Sequence, residues 1–141
     1  MTVDKTYKHS DLTEVIIGVF YDVYNDLGFG FLESVYRNSM QFALEEKGLF
    51  VQSEAPIAVF FRGRNVGDFR ADLVVNRCIL LELKTADRIV AAHEAQAMNY
   101  LRGSSLEVAL VLNSGPRPGL RRLILETARA RTRAQQAGSP P

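Results

Sequence analysis

Residues 70–85 read "RADLVVNRCILLELKT", and this stretch decides how the sheet of the protein is built. Two apolar runs flank the polar triplet "NRC", which predicts a tight turn between two antiparallel strands. Placing the turn at residues 76–78 gives a three-residue connection, a common hairpin length. In the register that this turn imposes, Asp72 lies directly opposite Glu82.

Three charged side chains then share one face of the hairpin, because side chains alternate along a strand and a one-residue slip would separate Asp72 from Glu82. Two converging carboxylates repel and raise each other's pKa unless a cation neutralises them. Oxygen ligands without a Cys or His partner suit Mg²⁺ or Mn²⁺ rather than zinc. Lys84, two residues after Glu82, can hold an attacking water or stabilise developing negative charge.

The same residues also have a purely structural interpretation. Asp72 could be an exposed residue of an edge strand, and Glu82 with Lys84 could form a solvated stripe on a one-faced sheet. The leucines of "ILLELK" count against this interpretation, since they make the strand apolar on both faces. Such a strand is typical of the centre of a sheet.

Composition limits the fold and the partners. The chain has 141 residues, 47% hydrophobic and 23% charged, which is ordinary for one globular domain. A formal net charge of +1 argues against a general polyanion binder that relies on bulk charge, so any nucleic-acid site must be local. The single cysteine, Cys78, excludes an internal disulfide or a thiolate metal cluster, and its apolar surroundings predict a buried thiol.

The termini predict a cytoplasmic protein that makes no membrane contact. The first residues contain no apolar signal core, and no apolar run approaches the roughly 20 residues that span a bilayer. We expect an N-terminal extension over residues 1–9, one domain over residues 10–126, and a polar tail over residues 127–141. The composition of that tail predicts partial disorder.

Helical periodicity predicts two helices at the start of the domain. The first runs from an N-cap at Ser10 to Asn25 and is stopped by Gly28; its expected apolar stripe is Leu12, Val15, Ile16, Val19, Phe20 and Val23. The second runs from about Leu32 to Lys47 and is stopped by Gly48. Its expected buried side comprises Val35, Ser39, Phe42 and Ala43.

The pattern then changes to period two and predicts a sheet. Pro56 is expected to break one extended segment from the next, with a hairpin turn at residues 63–65. An amphipathic helix is predicted from about Asp87 to Arg102, followed by strands at "LEVALVLN" and "LRRLIL". Its apolar side is expected to include Ile89, Ala92, Gln96, Met98, Tyr100 and Leu101. The fold class is therefore α/β, a mixed β-sheet flanked by α-helices.

Two further short motifs accompany the charged hairpin. "GFLESVY" supplies Gly30, Glu33 and Tyr36, and "QAMNYL" supplies Gln96 and Tyr100. Each motif alone has an ordinary explanation, because Glu33 favours a helix N-terminus and Gln96 with Tyr100 can be a packed helical pair. Their occurrence together, in this order around the hairpin, favours a functional site.

With these motifs the sequence resembles the GxxExxY protein family, a branch of the PD-(D/E)XK nuclease-like superfamily, from about residue 10 to residue 125. The resemblance implies a restriction-endonuclease-like core in which Asp72, Glu82 and Lys84 form the Asp and Glu-x-Lys elements. It also implies that Glu33 completes the acidic site and that Gln96 orients the site or contacts nucleic acid. One departure from the motif is Ala71, where proline commonly precedes the Asp.

Metal-dependent hydrolysis of phosphodiester bonds in nucleic acid, with DNA as the expected substrate, follows from this resemblance. The expected catalytic residues are Glu33, Asp72, Glu82, Lys84 and Gln96. The expected ligands of Mg²⁺, or of Mn²⁺ in its place, are Asp72, Glu82, the backbone carbonyl of Leu83, and Glu33 directly or through water. Candidate substrate contacts are Tyr36, Arg70, Tyr100 and Arg102, with Arg62 and Arg64 as further candidates for binding phosphate.

Two other functions remain open at this point. The first is a nucleic-acid-binding module that keeps the fold and the residues but lacks turnover, which would bind with salt-dependent affinity and cleave nothing. The second is a structural or assembly protein in which the "ELK" residues form a buried ion pair. The small size of the domain is compatible with a homodimer, but no residue pattern specifies an interface.

Overall fold

A computed structural model describes residues 9–125, so the expected extension up to residue 8 and the expected disordered tail lie outside the described residues. The elements are α1 (Ser10–Leu27), α2 (Glu33–Glu46), β1 (Val51–Phe61), β2 (Arg64–Val75), β3 (Ile79–Lys84), α3 (Ala91–Gly103), β4 (Val108–Ser114) and β5 (Pro118–Ile124). The strands form one sheet in the order β1-β2-β3-β4-β5. Only the β3–β4 pair is parallel. The predicted α/β class with a mixed sheet is confirmed.

Helices cover both faces of the sheet, and β3 lies at its centre. Ile79, Leu81 and Leu83 belong to a core cluster that includes α1 and α2 residues. Leu80 belongs to a second cluster, which includes α3 residues. All four of the apolar β3 side chains are fully buried, as the sequence predicted for a central strand.

The β2–β3 hairpin adopts the predicted register. Leu73 pairs with Leu81 and Val75 with Ile79, and residues 76–78 form the three-residue connection. Asn76 has a left-handed backbone conformation there, and its side-chain oxygen accepts a hydrogen bond from the Phe50 amide at 2.8 Å. Cys78 is only partly buried, contrary to the prediction, because it lies in this turn.

Helix α1 starts one residue earlier than a cap at Ser10 would require. His9 is the N-cap, in a left-handed conformation, and Thr13 Oγ1 donates to its carbonyl at 2.8 Å. The predicted stripe is correct except at Val15, which is 41% exposed. Within residues 9–125, no helix is both long and apolar enough to cross a membrane.

Helix α2 buries a different side from the predicted one. Its buried residues are Tyr36, Met40 and Leu44, whereas Phe42 is 66% exposed. The sequence carries two apolar stripes at helical spacing, and periodicity alone does not decide which stripe faces the sheet. The packing of α2 against α1 and the sheet selects the stripe that ends in Leu44.

The β1 strand continues through Pro56, which the sequence analysis wrongly treated as a break. β1 is an edge strand with β2 as its one neighbour in the sheet, so a residue without an N–H donor is tolerated. The hairpin turn consists of Arg62 and Gly63, both with positive φ angles (51° and 77°), as a two-residue turn of the type I′ class requires. The turn is therefore one residue earlier than predicted.

Helix α3 begins at Ala91 rather than near Asp87, because the chain after β3 is held extended. Asn113 at the end of β4 is buried, and its side-chain amide bonds both the N–H and the C=O of Ala86 at 2.9 Å. Through these two hydrogen bonds, the Asn113 side chain extends the β3–β4 pairing past the end of β3. The residues between Ala86 and Ala91 therefore form a loop before the helix starts.

Candidate active site

Two acidic side chains, Asp72 on β2 and Glu82 on β3, lie at the end of the β2–β3 pairing that is farther from the turn. Asp72 Oδ2 accepts a hydrogen bond from the Leu83 amide at 2.7 Å, which fixes its carboxylate beside β3. Glu82 is only 3% exposed, and its Oε1 atom is buried with no hydrogen-bond partner. The charge of Asp72 acts on Glu82, so the structure brings the two acids together.

Burial, and then the neighbouring Asp72, raise the pKa of Glu82 to about 9 against the opposing charge of Lys84. Near neutral pH this carboxyl group therefore carries a proton unless a positive charge takes the proton's place. An acceptor oxygen buried without a donor, adjacent to a second carboxylate, suits a cation. The residues present fit a divalent metal on these grounds.

Lys84 is oriented by α3. Its Nζ donates to Gln96 Oε1 at 2.8 Å, and Gln96 Nε2 in turn donates to the Tyr100 hydroxyl at 3.3 Å. Burial, and then the charge of Glu82, raises the pKa of Tyr100, so this ring lies close to the acids. Among residues 9–125 no ion pair joins Lys84 to Glu82, which counts against the structural interpretation of the "ELK" residues as a buried ion pair.

Glu33, the first residue of α2, also lies within the electrostatic reach of the site. Burial raises its pKa, and Asp72 raises it further, while Lys84 and Arg37 lower it. Across residues 9–125 no group of three or more Asp, Glu, His or Cys side chains is arranged to hold a metal ion. This counts against Glu33 as a direct third ligand. Binding of an ion by Glu33 through a water molecule is compatible with this arrangement.

Tyr36 does not line the site. Its side chain is fully buried, and its hydroxyl donates to the Gly28 carbonyl and accepts a 3.4 Å hydrogen bond from the Phe31 amide. Burial therefore argues against the expected contact between Tyr36 and a substrate. The ring instead fixes the link between α1 and α2, and with it the start of the helix that carries Glu33.

The arginines expected to bind phosphate are all exposed but lie in different places. Arg102 donates to Asn99 on its own helix at 3.4 Å. Arg70 lies on β2 opposite Pro56, two residues before Asp72. Arg62 and Arg64 lie at the tip of the β1–β2 hairpin, away from the acids along the strands.

Two contributors to the site were missed by the sequence analysis. Asn113, opposite Lys84 in the β3–β4 register, holds the loop between β3 and α3. The sequence signal that could have identified Asn113 is its polar amide at the end of an otherwise apolar strand. Phe69 packs on Tyr100 with ring centroids 5.5 Å apart, and no local pattern distinguishes it from the other aromatic residues of β1 and β2.

A sequence model of the PD-(D/E)XK nuclease superfamily matches residues 10–123. The fold is also similar to that in the crystal structure of SSO0001, with a TM-score of 0.52 and 17% sequence identity over 94% of this chain. The chain spans 65% of that protein's length, and at this identity the likeness shows the fold alone. Among curated proteins there is no match to this chain.

Proposed function

Because this chain belongs to the PD-(D/E)XK nuclease superfamily, we propose that it hydrolyses phosphodiester bonds of nucleic acid, with DNA as the substrate and Mg²⁺ as the cofactor. Mn²⁺ would substitute for Mg²⁺. The catalytic residues in this proposal are Glu33, Asp72, Glu82, Lys84 and Gln96. The proposal is carried by one observation, the buried Glu82 oxygen that has no hydrogen-bond partner and lies beside Asp72.

The metal would be held by Asp72, Glu82 and the backbone carbonyl of Leu83. Two carboxylates suffice for Mg²⁺, which usually keeps several waters and binds substrate phosphate in its remaining positions. When bound, the ion would neutralise the two carboxylates and polarise the phosphate group. Asp72 is already positioned for this role, because the Leu83 amide holds one of its oxygens.

Lys84 would act on the attacking water or on a non-bridging phosphate oxygen. Hydrolysis forms a bond from phosphorus to the water oxygen and breaks the bond to a sugar oxygen, and negative charge develops on the phosphate oxygens in between. An ammonium held in place at that point stabilises this charge without further reorganisation. Gln96 is a positioning residue, since its oxygen accepts from Lys84 Nζ at 2.8 Å.

A cleavage assay tests the proposal. Single-stranded, double-stranded and branched DNA would be incubated with the protein and Mg²⁺ or Mn²⁺. We expect Glu82→Gln and Lys84→Met each to lower the rate by roughly 10²-fold or more, since each removes a group that acts on the developing charge. Glu46→Gln, an exposed acid on α2, is the matched control and should cleave normally. Cleavage that survives Glu82→Gln would refute the assignment.

A second candidate function is nucleic-acid binding without turnover. The observation that favours it is the set of exposed arginines, Arg62, Arg64, Arg70 and Arg102, whose contacts to phosphate need no metal ion. A protein of this kind would bind DNA with salt-dependent affinity and leave it intact with every divalent ion tried. The same assay separates the two functions.

A further inference from the structure

The β1–β2 hairpin extends well past the rest of the sheet. β2 pairs with β1 along its whole length, but its pairing with β3 covers only Leu73 to Val75. We call residues 56–70 the arm; they form a two-stranded ribbon that continues for about 20 Å beyond that pairing. Only the base of the arm, at Ile57, belongs to the core of the described residues.

Apolar side chains are unusually exposed on the arm. Phe61 is 57% exposed and Val66 61%, and Phe60 and Phe69 are 37% and 43% exposed. Single exposed apolar residues are common, but several on one short ribbon indicate a surface that meets a partner.

The arm is also basic. Residues 56–70 contain three arginines and one aspartate, a formal charge of +2, while the whole chain carries +1. Arg62, Arg64 and Arg70 are all exposed. The Arg62 guanidinium lies 4.8 Å from the centre of the Phe61 ring, so a cation and an aromatic face are presented together. Positive charge combined with exposed rings matches the chemistry of a polyanion with aromatic bases.

The arm is held in one place. A Cβ atom added at Gly103, the last residue of α3, would lie 2.9 Å from Val59 Cγ2 and 3.2 Å from Ile57 Cγ2, so the hairpin packs directly on the helix. Near the tip, Asn65 bonds Asp68 at 2.9 Å and the Gly67 amide at 3.0 Å. Arginines and rings on a fixed ribbon lose little freedom when a ligand binds.

The base of the arm is continuous with the candidate active site. Phe69 packs on Tyr100, whose hydroxyl accepts from Gln96, and Gln96 in turn accepts from Lys84. A nucleic-acid strand whose phosphate lies at Lys84 can therefore follow this contact chain onto the arm.

We propose that the arm binds the nucleic acid on one side of the scissile phosphate, with its arginines on phosphates and its exposed rings stacked on unpaired bases. The preferred substrate then has a single-stranded segment next to the cleavage position. This inference rests on the proposed function for the identity of the ligand. Rings stack on bases only where the bases are not already stacked in a duplex, and this sets the preference.

A matched pair of residues at the opposite end of the sheet provides the control. Arg77 lies 5.0 Å from the centre of the exposed Phe50 ring, in the same arrangement as Arg62 over Phe61. The experiment compares Phe61→Ala/Arg62→Ala with Phe50→Ala/Arg77→Ala. Fluorescence anisotropy would measure binding to a labelled single strand and to the matching duplex, in chelator, at several salt concentrations.

We expect the arm variant to bind the single strand about tenfold more weakly, or worse, because a stacked base and a phosphate contact are lost. Its plot of log affinity against log salt should be shallower by about 0.7, the contribution of one contact to single-stranded nucleic acid. Duplex affinity should fall less. The single variant Phe61→Tyr keeps the ring and should retain most of the wild-type affinity for the single strand. The Phe50/Arg77 control should behave like the wild type.

Equal losses in the arm variant and the control would overturn the inference, as would an equal loss on single strand and duplex. A change of sedimentation coefficient in the arm variant without DNA would also overturn it, because the arm would then be an interface between two copies of the chain. The catalytic proposal is tested separately, since cleavage that depends on Glu82 but not on the arm refutes only the arm. Arm-dependent binding without cleavage refutes only the catalytic proposal.

Discussion

The two faces of β3 carry opposite kinds of side chain, and the difference separates what holds the fold together from what the site can do. Toward α1 and α2, the strand presents Ile79, Leu81 and Leu83, all fully buried among apolar residues. On the other face, Leu80 packs within the α3 cluster, and Lys84 reaches Gln96 on α3. Glu82, on that second face, is the buried acid with an unpaired oxygen.

Alternation along the strand explains why one six-residue segment can serve both purposes. The apolar face anchors the strand, so the Glu82 carboxyl group on the opposite face is held in place although its Oε1 atom has no hydrogen-bond partner. A slip of one residue would exchange the faces and bury the charges among leucines. Substitutions at the buried leucines and at Glu82 should therefore change stability in opposite directions.

The largest effect is expected on the apolar face. Leu81→Ala removes a fully buried side chain and leaves a cavity, so the free energy of unfolding should fall by about 2–5 kcal/mol. Urea denaturation measures this change. Leu32→Ala is the matched control, because Leu32 is 77% exposed and its truncation should change stability by less than about 0.5 kcal/mol. Similar losses at both positions would contradict the assignment of the core.

Replacement of Glu82 is expected to raise the free energy of unfolding, whereas Leu81→Ala lowers it. Its folded pKa is raised to about 9 from 4.5, so the stability it contributes is present below about pH 4.5 and is lost as the pH rises towards 9. In chelator, Glu82→Gln should match the wild type near pH 5 and exceed it increasingly above, by about 1.4 kcal/mol for each pH unit. Urea denaturation at several pH values measures the difference. A difference that does not vary with pH would show that burial of Glu82 carries no such penalty.

A smaller effect is expected where α3 orients the lysine. Gln96→Ala should lower kcat about tenfold and leave KM nearly unchanged, because Lys84 keeps its charge but loses the oxygen that positions it. Gln96→Glu, which keeps an acceptor for Lys84, should recover part of the rate. Asn99→Ala on the same helix is the control. A rise in KM alone would instead make Gln96 a substrate-binding residue.

The charged hairpin was the most predictable part of the molecule. The turn at residues 76–78 and the alternation of the flanking strands leave a single register that places Asp72 beside Glu82 and keeps the leucines buried. Local sequence fixes both constraints, so the centre of the sheet could be predicted without knowledge of the rest of the fold. The family resemblance added Glu33 and Gln96, and the structure places Glu33 within the electrostatic reach of Asp72 and Gln96 against Lys84.

The failures share a different cause, since each depended on distant packing. Phe42 and Met40 lie on competing apolar stripes of α2, and only contact with α1 and the sheet selects between them. Pro56 is harmless because β1 is at an edge, which its own sequence does not reveal. The arm depends on how far β2 outruns β3, which no local pattern encodes.

The central claim is that Asp72 and Glu82 together hold one divalent cation. Calorimetric titration with Mn²⁺ near pH 7.5, in buffers of different ionisation enthalpy, tests it most directly. Because the pKa of Glu82 is raised to about 9, binding of the ion should displace about one proton. We predict one bound Mn²⁺ with proton release in the wild type, and loss of binding in both Asp72→Asn and Glu82→Gln. Wild-type protein that binds no Mn²⁺, or variants that bind it equally well, would contradict the account.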